Sequence, residues 1–374
     1  MKKKVILLSL LVLFLVYLLW LGFLVLRFKP YKSPSSASPG EVEGAYHIHS
    51  RFSDGRKDIA EIARLASLGH LDFIIITDHG KPNYRSFLSE GWKEGVLVLA
   101  GSELSVSRGH LVGLGFNLPS QDFSQNAEQA VHEIGALGGF CIIAHPYSKV
   151  PWSWGENVGY SGIELINANK MLTKNFLSSF PYLPALLIKP EFAFLKILDN
   201  PSLNLKKWDE LLSSNPLNGY FSTDAHLLYR PLLSLFHLHL LLEHPLPADF
   251  EKAKSEVYEL LRRGKFYNAI DAASEANGFK FWASSGEKIA LTGETLFFDS
   301  QATLRIEAPF PFAKEVLLLL NGEIVLRSRE KSISYESGQA GFYRVEVYLK
   351  ERSPLARNVP WIVSNPIYLR KDKE

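Results

Sequence analysis

The sequence predicts a three-part chain: an apolar N-terminal helix, an α/β body and an all-β C-terminal segment. Three observations carry this. An uncharged apolar run fills most of the first thirty residues, and short apolar stretches alternate with amphipathic ones from Val42 to Asn277. Beyond Gly278 the spacing drops to the two-residue alternation of strands. The length of 374 residues suits more than one domain, and 47% apolar against 21% charged residues marks a folding chain. Lys plus Arg number 41 against 39 Asp plus Glu, which excludes a protein that coats nucleic acid. The single Cys141 excludes an internal disulfide and a Cys-rich zinc finger. Any metal must therefore be held by carboxylates and the eleven His residues.

Val5 to Leu26 is a run of 22 uncharged residues behind Lys2-Lys3-Lys4. At the helical rise it spans roughly 33 Å, enough for the hydrocarbon core of a bilayer. Residues 1–29 are expected to form an uncleaved single-pass anchor. A cleaved signal peptide competes, but its apolar core is usually only about 7–15 residues. Basic residues flank both ends, so the positive-inside bias nearly cancels; the expectation is a short inside tail with the body outside. Residues 30–41, rich in Pro and Ser, read as an extended tether.

The body, residues 42–277, opens with a helix announced by Asp58, with Glu61 three places on and Gly69 at its close. Phe73-Ile-Ile-Ile-Thr77 reads as a fully buried strand. Val96–Ala100, Leu111–Phe116, a helix at Asn126–Leu137, Phe140–Ala144, Gly162–Ile166 and Tyr220–Thr223 continue the pattern. Repeated strand–helix units of this kind imply an α/β sheet or barrel.

Polar residues gather where these strands end. They are His47, His49 and Asp54; Asp78 and His79; Glu103 and His110; His145; and Asp224 and His226. The carboxyl ends of barrel strands form one face, so these side chains are expected to meet. His47 and His49 are two apart, which on a regular strand turns both rings to one side. Six imidazoles with carboxylates and no thiolate suit two or three divalent ions of zinc, manganese or iron.

His-x-His-Ser with Ser-Asp-Gly, then Thr-Asp-His, Gly-Ser-Glu, Gly-His-Leu, Ala-His-Pro and Asp-Ala-His resembles the motif series of the polymerase and histidinol phosphatase (PHP) superfamily, over about 230 residues. The resemblance implies a distorted (β/α)7 barrel with a trinuclear metal centre and a metal-dependent hydrolase. It implies one ion on His47, His49, Glu103 and Asp224, a second on Glu103, His110 and His145, and a third on Asp54, His79 and His226. Asp54 stands where some relatives have His. A phosphate ester, small or polymer-linked, is the expected substrate; no nucleic-acid preference is evident. The CehA/McbA-type members make a carbamate or amide bond the competing substrate, and a non-catalytic metal-binding scaffold is the third reading. Asp54 and Glu103 are expected to serve the chemistry, and Arg51 and Arg108, inside the motif loops, to bind a substrate anion. Trp152 and Trp154 are candidates for a pocket wall, although loop packing explains them as well. Glu164 and Asn167 either reach the site or are simply buried at a strand end. Asp78 is expected to hold the loops rather than an ion.

His237-Leu-His239 repeats the His-x-His spacing in an apolar run with no carboxylate nearby in sequence, and is read as packing His. His70, His132 and His244 fall outside the motifs, and Cys141 reads as a small buried hydrophobe. Residues 278–374 carry about seven expected strands, with an Asn321-Gly322 hairpin signal, and suggest an immunoglobulin-like sandwich.

Overall fold

The apolar run folds as one helix, α1 (Lys2–Arg27), in a computed structural model that describes residues 2–30, 40–155, 159–309, 314–349 and 354–372. It is long and apolar enough to cross a membrane, and most of its side chains are exposed. Its C-terminal end does not float free. Leu21, Val25 and Phe28 are buried, and Tyr17 Oη donates to the Pro181 carbonyl at 2.6 Å. Nearly all of the expected tether lies outside the described residues.

The body comprises β1 (Glu41–Ile48), α2 (Ile59–Leu68), β2 (Phe73–Ile76), α3 (Tyr84–Phe87), β3 (Gly91–Lys93), β4 (Val96–Ala100), β5 (Ser102–Val106), β6 (Gly109–Leu114), α4 (Ala127–Ala136), β7 (Phe140–Ile143) and β8 (Gly162–Asn167). After these come α5 (Ala168–Lys174), α6 (Phe176–Ser179), a 3-10 segment (Phe180–Leu187), α7 (Pro190–Ile197), α8 (Ser202–Leu212), β9 (Asn218–Ser222), α9 (Tyr229–Leu233), β10 (His237–Leu241), α10 (Phe250–Arg263) and β11 (Phe266–Ala269). The expected alternation is largely present. Asn126 caps α4 by accepting from Gln129 N at 2.9 Å, one residue before the helix begins. At α2 the expected capping box does not form. Asp58 has cap geometry, but its carboxylate pairs with Arg51, and Glu61 turns to Lys57. Gly69 closes α2 with ordinary negative φ, and His70 takes the left-handed conformation instead.

The expected (β/α)7 barrel is not closed. Strands β2 and β4 flank one another in the order β3-β4-β2-β1-β10-β11, while β5-β6-β7-β8-β9 form a separate sheet. Parallel pairs β1/β2, β2/β4, β7/β8 and β8/β9 mix with antiparallel β1/β10, β5/β6 and β6/β7, unlike a barrel of uniform strand direction. Among the described residues the sheets meet where Glu103 N donates to Thr77 O at 3.2 Å, between β5 and the end of β2, and along two seams beside β9. On one, side chains replace a backbone ladder: Asn268 Oδ1 accepts from Phe221 N at 2.7 Å, and Asn365 Oδ1 accepts from Gly219 N at 2.8 Å. Buried backbone donors of β9 thus find acceptors without a neighbouring strand. On the other, Thr223 N donates to Tyr46 O at 3.1 Å, Ala225 N to His47 O at 3.2 Å and His49 N to Ala225 O at 3.0 Å. This second seam sets Asp224 beside the end of β1.

The C-terminal strands are β12 (Lys280–Ser285), β13 (Lys288–Leu291), β14 (Thr295–Phe298), β15 (Ala302–Glu307), β16 (Lys314–Leu320), β17 (Glu323–Ser328), β18 (Ser332–Ser337), β19 (Gly341–Leu349), β20 (Ile362–Ser364) and β21 (Ile367–Lys371). The all-β character is as expected, and the strands divide between two sheets. Strands β13-β12-β15-β18 form a four-stranded sheet, whereas β20 pairs with β11 and draws the others into the body's sheet, making twelve strands. The sheet therefore crosses the expected boundary at 277/278. The last expected strand is split at Asn365-Pro366, since Pro cannot donate to a ladder. Buried Arg344 on β19 adds a polar bond between the parts, with Nε and Nη2 each 2.8 Å from the Asp209 carboxylate of α8.

Candidate metal centre

All six motif imidazoles and the carboxylates Asp54, Glu103 and Asp224 converge at one end of the body. Glu103 is the hub. Its Oε2 lies 3.1 Å from both His47 Nε2 and His49 Nε2, and its Oε1 lies 2.9 Å from both His110 Nδ1 and His145 Nε2. Asp224 Oδ1 is 3.6 Å from His47 Nε2 and 3.5 Å from His49 Nε2. That oxygen is buried without a hydrogen-bond partner. A third grouping joins His226 Nε2 and Asp54 Oδ2 at 3.2 Å, with His79 Nε2 at 3.7 Å and His49 Nδ1 at 3.5 Å from Asp54. Ligand atoms of His47, His49 and Glu103, of Glu103, His110 and His145, and of His49, Asp54, His79 and His226 each fall within 4.8 Å of one another. An orphaned carboxylate oxygen and several imidazole nitrogens aimed at shared acidic oxygens fit a multinuclear cation site.

The local backbone explains the convergence, and not by the regular alternation expected for β1. The β1/β2 register slips between Tyr46 and Ile48, and His47 sits at φ +65°. His145 at +29° and Asp224 at +48° share this rarely populated region. Such conformations cost roughly 1–3 kcal/mol each and persist where the surroundings over-determine them. His47 lies at the irregular end of β1, and His145 and Asp224 each come two residues after a buried strand, so the strain is confined to the residue that must turn inward.

Burial grades the site from floor to mouth. His47, His49, Glu103 and Asp224 are essentially inaccessible, His79, His110 and His226 are half-buried, and the Asp54 side chain is 54% exposed. Asp78 is a loop fastener, as expected. It accepts from Ser50 N and Ser53 Oγ, both at 2.6 Å, and from Ser86 Oγ at 2.6 Å. Glu164, which sequence left open, belongs to the site. Its Oε1 is 2.5 Å from His47 Nδ1, and its Oε2 accepts from His145 N at 2.8 Å and Asn167 Nδ2 at 2.9 Å. The carboxylate accepts from His47 Nδ1, so that Nε2 is the nitrogen a cation would displace a proton from or bind directly, facing Glu103. His226 is oriented likewise, its Nδ1 donating to the Asp224 carbonyl at 2.9 Å.

In the metal-free chain these charges set one another. Burial alone would lower the His47 pKa, but Glu164, Glu103 and Asp224 outweigh it and raise it well above the usual imidazole range. For His49, burial is outweighed by Asp224 and Glu103, and the ring is held at about 9. Burial would raise Glu103, yet His47, His110 and His145 carry it well below the usual carboxylate range. Asp54 falls too, because His226, His49 and His79 exceed the effect of burial.

Arg51 and Arg108 are placed differently from the expectation. Arg51 Nε pairs with Asp58 at 2.6 Å, and Arg108 pairs with Glu128. Lys170 at the start of α5, missed from sequence, is the cation at the cluster, its Nζ 3.4 Å from Asp224 Oδ2. Its signal was weak, since it follows Asn167 by one turn and lies in no motif. Trp152 is buried against Tyr160, which makes it packing rather than a pocket wall. Cys141 is free and buried, as read.

His237 and His239 are buried, as read, but they do not lack carboxylates. Glu43, His237, His239 and Asp271 form a fourth group with ligand atoms within 4.8 Å. The carboxylates were hidden because Glu43 and Glu41 stand 194 and 198 residues away in the chain.

No family model matches the chain. An uncharacterized protein of Methanocaldococcus jannaschii is 27% identical over 139 residues, covering 33% of this chain and 80% of that one. A two-domain protein from Bacteroides vulgatus, described as containing a predicted PHP-like metal-dependent phosphoesterase, aligns at TM-score 0.41 and 13% identity, over 91% of this chain and 99% of its own. An amidohydrolase from Chromobacterium violaceum with bound sulfate aligns at TM-score 0.33 and 16% identity, over 49% and 87%. At these values the likenesses do not bear on activity, which is read from the side chains.

Proposed function

We propose that this chain is a membrane-anchored, metal-dependent phosphoesterase of PHP type that hydrolyses a small or polymer-linked phosphate ester. The observation that carries the reading is Glu103, whose two oxygens each meet a separate pair of imidazoles, as a carboxylate shared by two cations would. His47, His49, Glu103 and Asp224 would hold one ion, Glu103, His110 and His145 a second, and Asp54, His79 and His226 a third. Such ions, when bound, lower the pKa of coordinated water and neutralise the oxygens of an ester.

The remaining work falls to the chain. Glu164 and the Asp224 carbonyl accept from Nδ1 of His47 and His226 and so aim Nε2 of each inward. The buried floor excludes bulk water and strengthens every charge interaction there. Asp54, exposed at the mouth and held ionised by His226, stands where an attacking water or a departing alkoxide would pass. Lys170, with Nζ 3.4 Å from Asp224 Oδ2, offers a positive charge to a non-bridging phosphate oxygen. It takes the role first assigned to Arg51 and Arg108, which are committed to neighbouring acids.

Residues 42–277 carry this chemistry and residues 278–374 brace it. The anchor would bring the exposed Leu177, Phe180, Leu187 and Ile188 toward the bilayer beside α1, with the body outside. The test is phosphate release by the full chain in detergent, with added manganese or zinc, from mono- and diester substrates beside carbamate and amide arms. Phosphate release lost in His49→Ala and Asp224→Ala is the expected result. Turnover confined to the carbamate or amide arm would replace this reading, and full metal binding with no turnover would favour the scaffold.

A further inference from the structure

The opposite end of β1 carries a second set of ligands. Glu41 and Glu43 come from β1, His237 and His239 from the adjacent β10, and Asp271 from just past β11. His47 lies four positions beyond Glu43, about 13 Å along a strand, so this set is distinct from the catalytic one.

Hydrogen positions here follow from what the neighbours can accept. His237 Nε2 lies 3.0 Å from the Leu233 carbonyl, which only accepts, so the ring proton sits on Nε2. His237 Nδ1 is then a lone pair, yet it faces Glu43 Oε2 at 2.9 Å and Asp271 Oδ2 at 3.3 Å. His239 Nδ1 lies 3.0 Å from Glu41 Oε1, an oxygen that also accepts from Tyr267 Oη. With its proton there, His239 Nε2 is a second lone pair, 2.9 Å from Asp271 Oδ2. With each ring neutral, four acceptor atoms converge here with no hydrogen among them; a ring that took a second proton would donate to Asp271 instead.

Extra protons on both rings would aim two like charges at the single oxygen Asp271 Oδ2. One proton on His237 Nδ1 would also be divided between two carboxylates. A single cation serves all four atoms with each ring in its ordinary neutral form. Tetrahedral zinc at about 2.0–2.1 Å from each ligand puts ligand atoms about 3.3 Å apart. Three of the six separations are 2.9 to 3.3 Å, within a few tenths of an ångström of that value, and ligand atoms of the four residues all lie within 4.8 Å of one another.

We propose that His237 Nδ1, His239 Nε2, Glu43 Oε2 and Asp271 Oδ2 form a second, structural divalent-cation site of zinc type. The remaining oxygens are already used. Asp271 Oδ1 accepts from Ala276 N at 2.8 Å, Glu43 Oε1 from Asn277 Nδ2, and Glu41 Oε2 from Gly278 N at 3.1 Å. A filled tetrahedron with engaged outer oxygens leaves no position for substrate. The ion would tie β1 and β10 to the 271–278 connection, where the chain passes into its C-terminal strands.

The proposal does not rest on the phosphoesterase reading, and its readout is metal content. The full chain in detergent is loaded with zinc, desalted and measured by elemental analysis. A Glu103→Ala/Asp224→Ala/His79→Ala/His226→Ala variant should lose all three catalytic ions and keep about one zinc per chain, and adding His237→Ala/Asp271→Ala should remove it. Cobalt in the first variant should give the visible absorption of a tetrahedral ion. If the first variant, folded by circular dichroism, holds no ion, or keeps its ion after the second pair of changes, the proposal falls. Anomalous scattering at the zinc edge from the unmutated chain provides a reading free of folding effects. A peak between His237 and His239 is expected, and peaks confined to the Glu103 cluster would overturn the site.

Discussion

Glu164→Gln removes a charge without removing volume, and its outcome can be worked out from three distances. The carboxylate serves three donors, His47 Nδ1 on Oε1 and His145 N with Asn167 Nδ2 on Oε2. Gln offers one carbonyl and one amide NH2. With the carbonyl toward His47, the NH2 meets two buried donors, a loss of about 1–3 kcal/mol. With the carbonyl turned the other way, the NH2 forces the His47 proton onto Nε2 and removes that nitrogen as a ligand. Loss of a group that orients a metal-bound His typically costs about 10–100-fold in metal affinity. That range corresponds to roughly 1.4–2.7 kcal/mol. Chelator-competition titration with zinc gives the affinity, and a melt of the metal-free protein gives the stability. A tenfold or larger loss of affinity with a lower Tm is expected. Affinity within about threefold of the unmutated chain and an unchanged Tm would refute the role given to Glu164.

Three further outcomes are expected. The metal-free His49 is held at about 9, above its ordinary 6.5, so its contribution to stability is full below about pH 6.5 and is lost as pH rises through 9. A metal must displace that proton, so zinc affinity should climb from pH 6.5 to 9 with protons released; a flat profile in an indicator-coupled titration would contradict this. Arg344→Met leaves the Asp209 and Glu346 carboxylates without their shared cation, and breaking a buried pair costs about 3–5 kcal/mol, so Tm should fall by many degrees. An unchanged Tm would show that α8 and β19 are not fastened there. Burial alone pushes the Cys141 thiol far up, so it should ignore a thiol reagent at pH 8 until denaturant is added; rapid native-state labelling would contradict its burial.

Much of the candidate metal centre was legible because several of its residues follow short buried apolar runs. Phe73–Ile76 before His79, Val96–Ala100 before Glu103 and Phe140–Ile143 before His145 are local signals, written in consecutive residues. The apolar α1 was legible for the same reason. The manner of convergence was not. Left-handed backbone at His47, His145 and Asp224 is imposed by neighbours, and no residue type announces it.

Residue order by itself determined which side chains could bind a cation and the class of element that carries each. Tertiary structure alone decided which of them meet. Glu43 finds His237 across 194 residues, Asn365 reaches Gly219 across 146, and β20 joins β11 where two separate domains were expected. These are pairings of buried hydrogen-bonding groups, whose partners are chosen by what packing brings within 3 Å. Periodicity records which face of a strand is buried, but not what lies opposite it.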